Sequence, residues 1–177
     1  IRMRNLGGSA ELFIEEEQSA DEETRHLPEE VGFFAIEDGL IVDENAKPIG
    51  RASSFRQSQG GPADWHSVMF DPLGQVDFSN PVVFMQLLSY NGSDPAHIRV
   101  RDVDSWLDDW FRFQIEEWGY LNKTHKKEKI GLVVLEAGTH TLRDGTQLEV
   151  GTVEGTHKWQ IVRTTARTDP IVCSQCQ

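Results

Sequence analysis

Two stretches of the chain almost repeat each other. One is "EEVGFFAIEDG", Glu29 to Gly39, and the other is "EKIGLVVLEAG", Glu128 to Gly138, ninety-nine positions later. Each has a Glu, a β-branched residue and a Gly, then four mostly apolar residues, a Glu and a closing Gly, in one order. The second is a nearly continuous apolar run bounded by Gly, the pattern of a central β-strand. A repeated line of this kind decides the fold, because a chain built from copies of one unit must be read unit by unit.

The match extends outward from both lines. Upstream of the first lie "IRMRN" (Ile1–Asn5) and "ELFIEEE" (Glu11–Glu17); upstream of the second lie "IRVRD" (Ile98–Asp102) and "FRFQIEEW" (Phe111–Trp118). His26 precedes Glu29 by three residues, and His125 precedes Glu128 by three. Downstream, Trp65 matches Trp159, Val68 matches Val162, Pro81 matches Pro170 and Gln86 matches Gln175. Anchors in one order define a module of roughly 100 residues. The expected organisation is the C-terminal half of a first module over 1–39, a complete module over 40–138 and the N-terminal half of a third over 139–177. The two halves have the parts to complete a sandwich with each other. A chain that opens inside a repeat is expected to be a fragment, a processed product or part of a longer protein.

Strand signals fill the complete module. "SVMF" (Ser67–Phe70) is short and apolar, and "PVVFMQLLSY" (Pro81–Tyr90) opens on a Pro and ends at the turn signal "NGSDP". "HIRVRDV" (His97–Val103) and "FRFQIEEW" alternate, with Ile98, Val100, Phe111, Phe113 and Ile115 expected in the core. Arg99 and Arg101 then fall on the outer face, facing carboxylates such as Glu116. Exposed pairs of this kind contribute about 0.2–1 kcal/mol each. Arg2, Arg4 and Glu15 repeat the disposition. "HTLRDGTQLEVGTV" (His140–Val153) holds the turn dipeptide Asp144-Gly145. No stretch has convincing helical periodicity, although "DSWLDDWF" has room for one helical turn. The fold class is all-β, an antiparallel β-sandwich.

The short V-x-F strand (Val68, Phe70), Phe78, "NPVVFMQLLSYNG", "IRVRDV", "FRFQIEEW" and the closing apolar strand together resemble the H-type lectin domain. They are also similar to a module found in tandem in bacterial surface and secreted proteins. The likeness runs from Trp65 to Gly138 and includes the spacing Phe78, Pro81, Val83. The resemblance implies a six-stranded antiparallel sandwich, often a trimeric or hexameric oligomer. It also implies carbohydrate binding at a subunit edge, commonly of N-acetylgalactosamine. The insertion at "SWLDD" departs from the compact pattern, and the family's sugar-binding polar set is not mapped onto this chain.

Composition narrows the function classes. The 177 residues carry a net charge of −12, which argues against nucleic acid, whose phosphates need Lys and Arg. The balance fits a solvated extracellular or salt-adapted surface. The longest apolar runs are far short of a membrane span. Cys173 and Cys176 form a lone "CSQC", too few ligands for a structural zinc and more consistent with small core or edge residues.

The copies differ most between the "IRxR" and "IEE" strands, eleven positions from Ile1 to Leu12 against fifteen from Ile98 to Phe113. The extra residues gather Trp106, Trp110, Asp104, Asp108 and Asp109 in one loop. Aromatic faces stack on sugar rings and carboxylates accept hydrogen bonds from hydroxyls. The same carboxylates suit calcium, and the same tryptophans suit a cap on the sandwich core. A second candidate is Trp118, Tyr120 and His125, with His125 open to reading as a ligand or as a structural hydrogen bonder. Asn91 and Asn122 sit in glycosylation acceptor triplets.

Catalytic motifs are missing: there is no G-x-S-x-G, H-E-x-x-H or P-loop, and Glu116 and Glu117 point to opposite strand faces. The expected function is a non-catalytic, extracellular or cell-surface, carbohydrate-binding or adhesion repeat, with a glycan or cell-surface polysaccharide as partner. The alternative is a structural repeat of an extracellular fibre or sheath, self-assembled by strand complementation between half modules.

Overall fold

The computed structural model describes residues 1–4, 9–15, 28, 30–103, 109–154, 161–162 and 164–165. All regular structure among them is β-strand, every pairing is antiparallel, and no helix is long and apolar enough to cross a membrane. The strands are β1 (Arg2–Arg4), β2 (Glu11–Phe13), β3 (Gly39–Val42), β4 (Pro48–Gln59), β5 (His66–Met69), β6 (Pro81–Leu87), β7 (Ala96–Arg101), β8 (Trp110–Glu117), β9 (His125–Glu136), β10 (Gly138–Thr141) and β11 (Gln147–Val150).

Two sheets face each other, one in the order β3-β4-β9-β6 and one in the order β5-β8-β7. The second repeated line becomes β9, a central strand flanked by β4 and β6. Alternation then sets what is inside. Val83, Met85 and Leu87 of β6 and Ile130, Leu132 and Val134 of β9 meet Ile98 and Val100 of β7 and Phe111, Phe113 and Ile115 of β8 in one buried core. The five residues expected in the core from β7 and β8 are all there. Gln59, at the end of β4, ties the sheets together: its side-chain carbonyl accepts the Ile115 amide at 3.1 Å. Six strands are implied by the family resemblance; the facing sheets hold seven, because the short β3 adds to β4 at the edge.

The outer faces of β6 and β9 are apolar as well. Val82 and Leu135, with Phe84 and Val133 beside them, pack under Leu148 and Val150 of the β10–β11 hairpin in a second cluster. This accounts for the unbroken apolar run of β9, which is covered on both sides.

Some local geometry is alike at positions that match in the sequence. Arg2 pairs with Phe13 and Arg4 with Glu11, as Arg99 pairs with Gln114 and Arg101 with Arg112 at the matching positions. Gly39 and Gly138 have φ of 150° and 137°, and Ala46 and Gly145, ninety-nine positions apart, have φ of 62° and 85°. The Ala46 amide donates to the Asp43 carbonyl as the Gly145 amide donates to Leu142. The bulge that follows Ile41 shifts β3 against β4, and no such shift occurs in β10–β11.

One repeated line does not form a strand. Residues 30–37, the counterpart of β9, have no regular structure, and Phe33, Phe34 and Ile36 are 76, 58 and 46% exposed. A central strand needs partners on both edges, and none of the described strands flanks this segment. Among the described residues, β1–β2 and β10–β11 form separate two-stranded sheets with no ladder between them.

Phe113 is fully buried and its ring centroid lies 5.6 Å from that of Phe55 on the facing sheet. Replacing it by Ala is expected to cost about 3–5 kcal/mol in urea unfolding.

Candidate functional site

Strand β8 separates the two sequence candidates. Asp109 and Trp110 stand at its start, and Trp118 and Tyr120 follow its end, so the two groups lie roughly 26 Å apart at about 3.3 Å per residue. Asp109 and Trp110 therefore stand apart from Trp118 and Tyr120. Asp104, Trp106 and Asp108 lie outside the described residues, as do Cys173 and Cys176. Asp109 is exposed and its carbonyl accepts the Phe70 amide at 2.9 Å. Trp110 is half-buried with the Arg112 guanidinium 5.0 Å from its ring centre. Among the described residues no group of three or more His, Cys, Asp or Glu side chains is placed to hold a metal ion, and Asp109 is the single described member of the set that suits calcium.

The far end of β8 is built on buried charge. Glu128 of β9 is fully buried, and it takes the Arg2 guanidinium at 2.7 Å, the Gly92 amide at 2.8 Å, the Asn91 amide at 2.9 Å and the Ser89 hydroxyl. Burial alone pushes this carboxyl's pKa up. The Gly92 amide, the Ser89 hydroxyl, the Asn91 amide and Arg2 together outweigh burial and hold it below its ordinary 4.5. Arg2, buried in its turn, also donates to the Ser89 carbonyl at 3.2 Å and lies 4.6 Å from the Tyr90 ring centre. The outer-face ladder expected for Arg2 and Glu15 is therefore realised differently: Arg2 reaches inward to Glu128, with Glu15 at 3.6 Å. Burial raises the Glu15 pKa against the opposing pull of Arg2. Arg99 and Glu116, by contrast, pair on the outer face at 2.9 Å as expected.

His125 bridges two carboxylates. Its Nδ1 lies 2.8 Å from Glu117 and its Nε2 3.2 Å from Glu128, and both carboxylates are buried. Both ring nitrogens of His125 are therefore engaged by carboxylates. A Cβ on Gly92 would sit 2.6 Å from the His125 ring, so only glycine fits there. Glu117 also accepts the Lys123 amide at 3.0 Å, which anchors the Asn122-Lys123-Thr124 turn, where Lys123 has φ of 62°.

This framework floors a polar cleft of about 280 Å³. Glu117 and His125 form its base, and Ser93, Asp94, Asn122, Thr124 and Lys126 its walls. Asn122 donates to Asp94 at 3.3 Å and accepts the Thr124 amide at 2.8 Å, so the walls are cross-braced. The turn between β8 and Asn122 carries Trp118, 37% exposed, and Tyr120, 45% exposed. Sequence reasoning missed Asp94, Asn122 and Thr124 as cleft walls, because the loop after β6 and the turn after β8 meet only in three dimensions.

The outer face of β5-β8-β7 carries a second feature. Arg101 stacks 3.7 Å from the Trp65 ring centre, Arg112 on Trp110, and the His97 ring 5.5 Å from that of Trp118. Three of the five tryptophans thus pair with basic side chains along one sheet face. Trp65, a repeat anchor in the sequence, acquires this role only through the register of β5 on β8.

The described strands define an antiparallel β-sandwich flanked by two two-stranded sheets. No family model matches the chain, and no solved structure matches it. The chain is similar to halomucin of Haloquadratum walsbyi, 30% identical over a 110-residue alignment that covers 52% of this chain and 1% of halomucin. The aligned stretch is thus a very small part of that protein's length.

Gly92→Ala is expected to disrupt the His125 ring position and lower the thermal midpoint, while Gly119→Ala, with open space around it, leaves the midpoint near that of the parent. Glu128→Gln strips the carboxylate from Arg2 and His125 and is expected to cost about 3–5 kcal/mol. The sign with pH follows from the depressed Glu128 pKa. Its contribution is complete above 4.5 and is lost as pH falls through the lower folded value. Glu15, with a raised value, acts in the opposite sense and stabilises when protonated. Urea midpoints measured from neutral to acid pH should fall less steeply in Glu128→Gln than in the parent chain.

Proposed function

We propose that the chain is an extracellular or cell-surface, non-catalytic repeat module that binds carbohydrate in the cleft above Glu117 and His125, in the manner of an H-type lectin-like sandwich. On this reading, residues 40–138 are the complete module, flanked by half modules over 1–39 and 139–177. The observation that carries it is the cleft: hydroxyl, amide, carboxylate and ammonium groups converge there on a braced framework. Fixed donors and acceptors suit sugar hydroxyls. The strongly acidic composition and the similarity to a protein named halomucin support an extracellular setting. A glycan or cell-surface polysaccharide is the partner.

A glycan array with the intact chain should return binders. For such a binder, Asn122→Ala and Lys126→Ala should each weaken binding by about 1 kcal/mol or more in calorimetry. Met69→Ala, on β5, should leave it unchanged. An array without binders, or affinity indifferent to Asn122 and Lys126, removes the reading.

A further inference from the structure

We propose that residues 30–37 of one copy add as a β-strand to the edge of β11 that no described strand occupies in a second copy, so that chains join head to tail. The proposal goes beyond carbohydrate binding and stands whether or not the cleft holds a sugar.

The segment has the sequence of a central strand and the surroundings of none. Its counterpart, Lys129–Glu136, pairs on one side with β4 and on the other with β6. Residues 30–37 pair with neither kind of strand among the described residues, and Phe33, Phe34 and Ile36 face outward, exposed. The matching vacancy is on the same molecule. β4 has β3 on one edge and β9 on the other, whereas its counterpart β11 has β10 on one edge and no described strand on the other. An unpaired edge and an unpaired apolar strand are the two components of strand addition.

The register follows from pairings already present. Leu40 faces Arg51 and Thr139 faces Glu149, so Glu149 takes the place of Arg51. Arg51 faces Val134, whose counterpart ninety-nine positions earlier is Ala35. Ala35 should therefore lie opposite Glu149, Ile36 opposite Leu148 and Phe34 opposite Val150. The contact is heterologous, the donor surface differing from the acceptor, and a heterologous contact that does not close gives open chains. This commits the exposed segment to one occupant, the β11 edge of another copy.

The test uses the full chain. In sedimentation velocity the parent should show mass rising with concentration, and Phe34→Asp should remain monomeric. Phe34 lies outside both buried clusters, so that variant should keep the parent's melting temperature. Register is tested with Cys173 and Cys176 replaced by Ser. Chains carrying Ala35→Cys, mixed with chains carrying Glu149→Cys, should form a disulfide-linked heterodimer, because directly opposed residues sit about 4.5–5.5 Å apart at Cα, within disulfide range. Glu30→Cys replaces Ala35→Cys as the off-register control, and the matched pair should link at least about tenfold faster, since five residues of strand displace the thiol by roughly 17 Å. A parent chain that is monomeric at every concentration overturns the proposal, as does linking no faster than the control. A chain carrying both cysteines that closes on itself at high dilution, while mixed chains do not link, assigns the strand to its own β11 and also overturns it.

Discussion

The buried carboxylate of Glu128 is the constraint on which the polar end of the sandwich depends. A charge taken out of water must be surrounded by donors, and the donors here come from distant parts of the chain: Arg2 from β1, the Asn91 and Gly92 amides and the Ser89 hydroxyl from the loop after β6. Satisfying one carboxylate therefore fixes the position of a hairpin and a loop at once. His125 carries the constraint on to Glu117, and Glu117 to the Lys123 amide. The cleft walls inherit their rigidity from this sequence of contacts. The glycine at position 92 is required by the closeness of the His125 ring.

The apolar part obeys a different rule. Period-two alternation on β6, β7, β8 and β9 fills the space between the sheets, and the same strands β6 and β9 present a second apolar face that the β10–β11 hairpin covers. A sandwich with an apolar outer face is incomplete by itself, because exposed apolar area of that size seeks cover. The flanking strand pairs are thus held to the sandwich by burial on one side and by charge on the other. The β1–β2 hairpin is fastened through Arg2 in a polar socket, and the β10–β11 hairpin through Leu148 and Val150 on an apolar sheet face.

Much of the sandwich was legible in the residues. The alternation of Ile98, Val100, Phe111, Phe113 and Ile115, the apolar run of β9 and the turn at Asp144-Gly145 all report local rules, and all appear as expected. β4 was not legible. Its twelve residues, "PIGRASSFRQSQ", carry Ser, Arg and Gln at most positions, and only Ile49, Ala52 and Phe55 mark it as apolar. Its strand character comes from pairing with β9 along most of its length. The candidate site was half legible. Trp118, Tyr120 and His125 were recognisable as chemistry-bearing residues, but Trp110 and Asp109 belong to the other end of β8.

By itself the sequence determined the all-β class, the core face of each alternating strand and the acidic composition, because these depend on residue type and spacing along one segment. Tertiary structure alone decided that Arg2 is a buried partner of Glu128 while its counterpart Arg99 stays outside with Glu116. It alone decided that one of two similarly patterned lines becomes a central strand while the other pairs with no described strand. The physical reason is the same in both cases. Matching residues have matching propensities, but burial and strand pairing depend on what neighbouring segments supply, and the two copies have different neighbours.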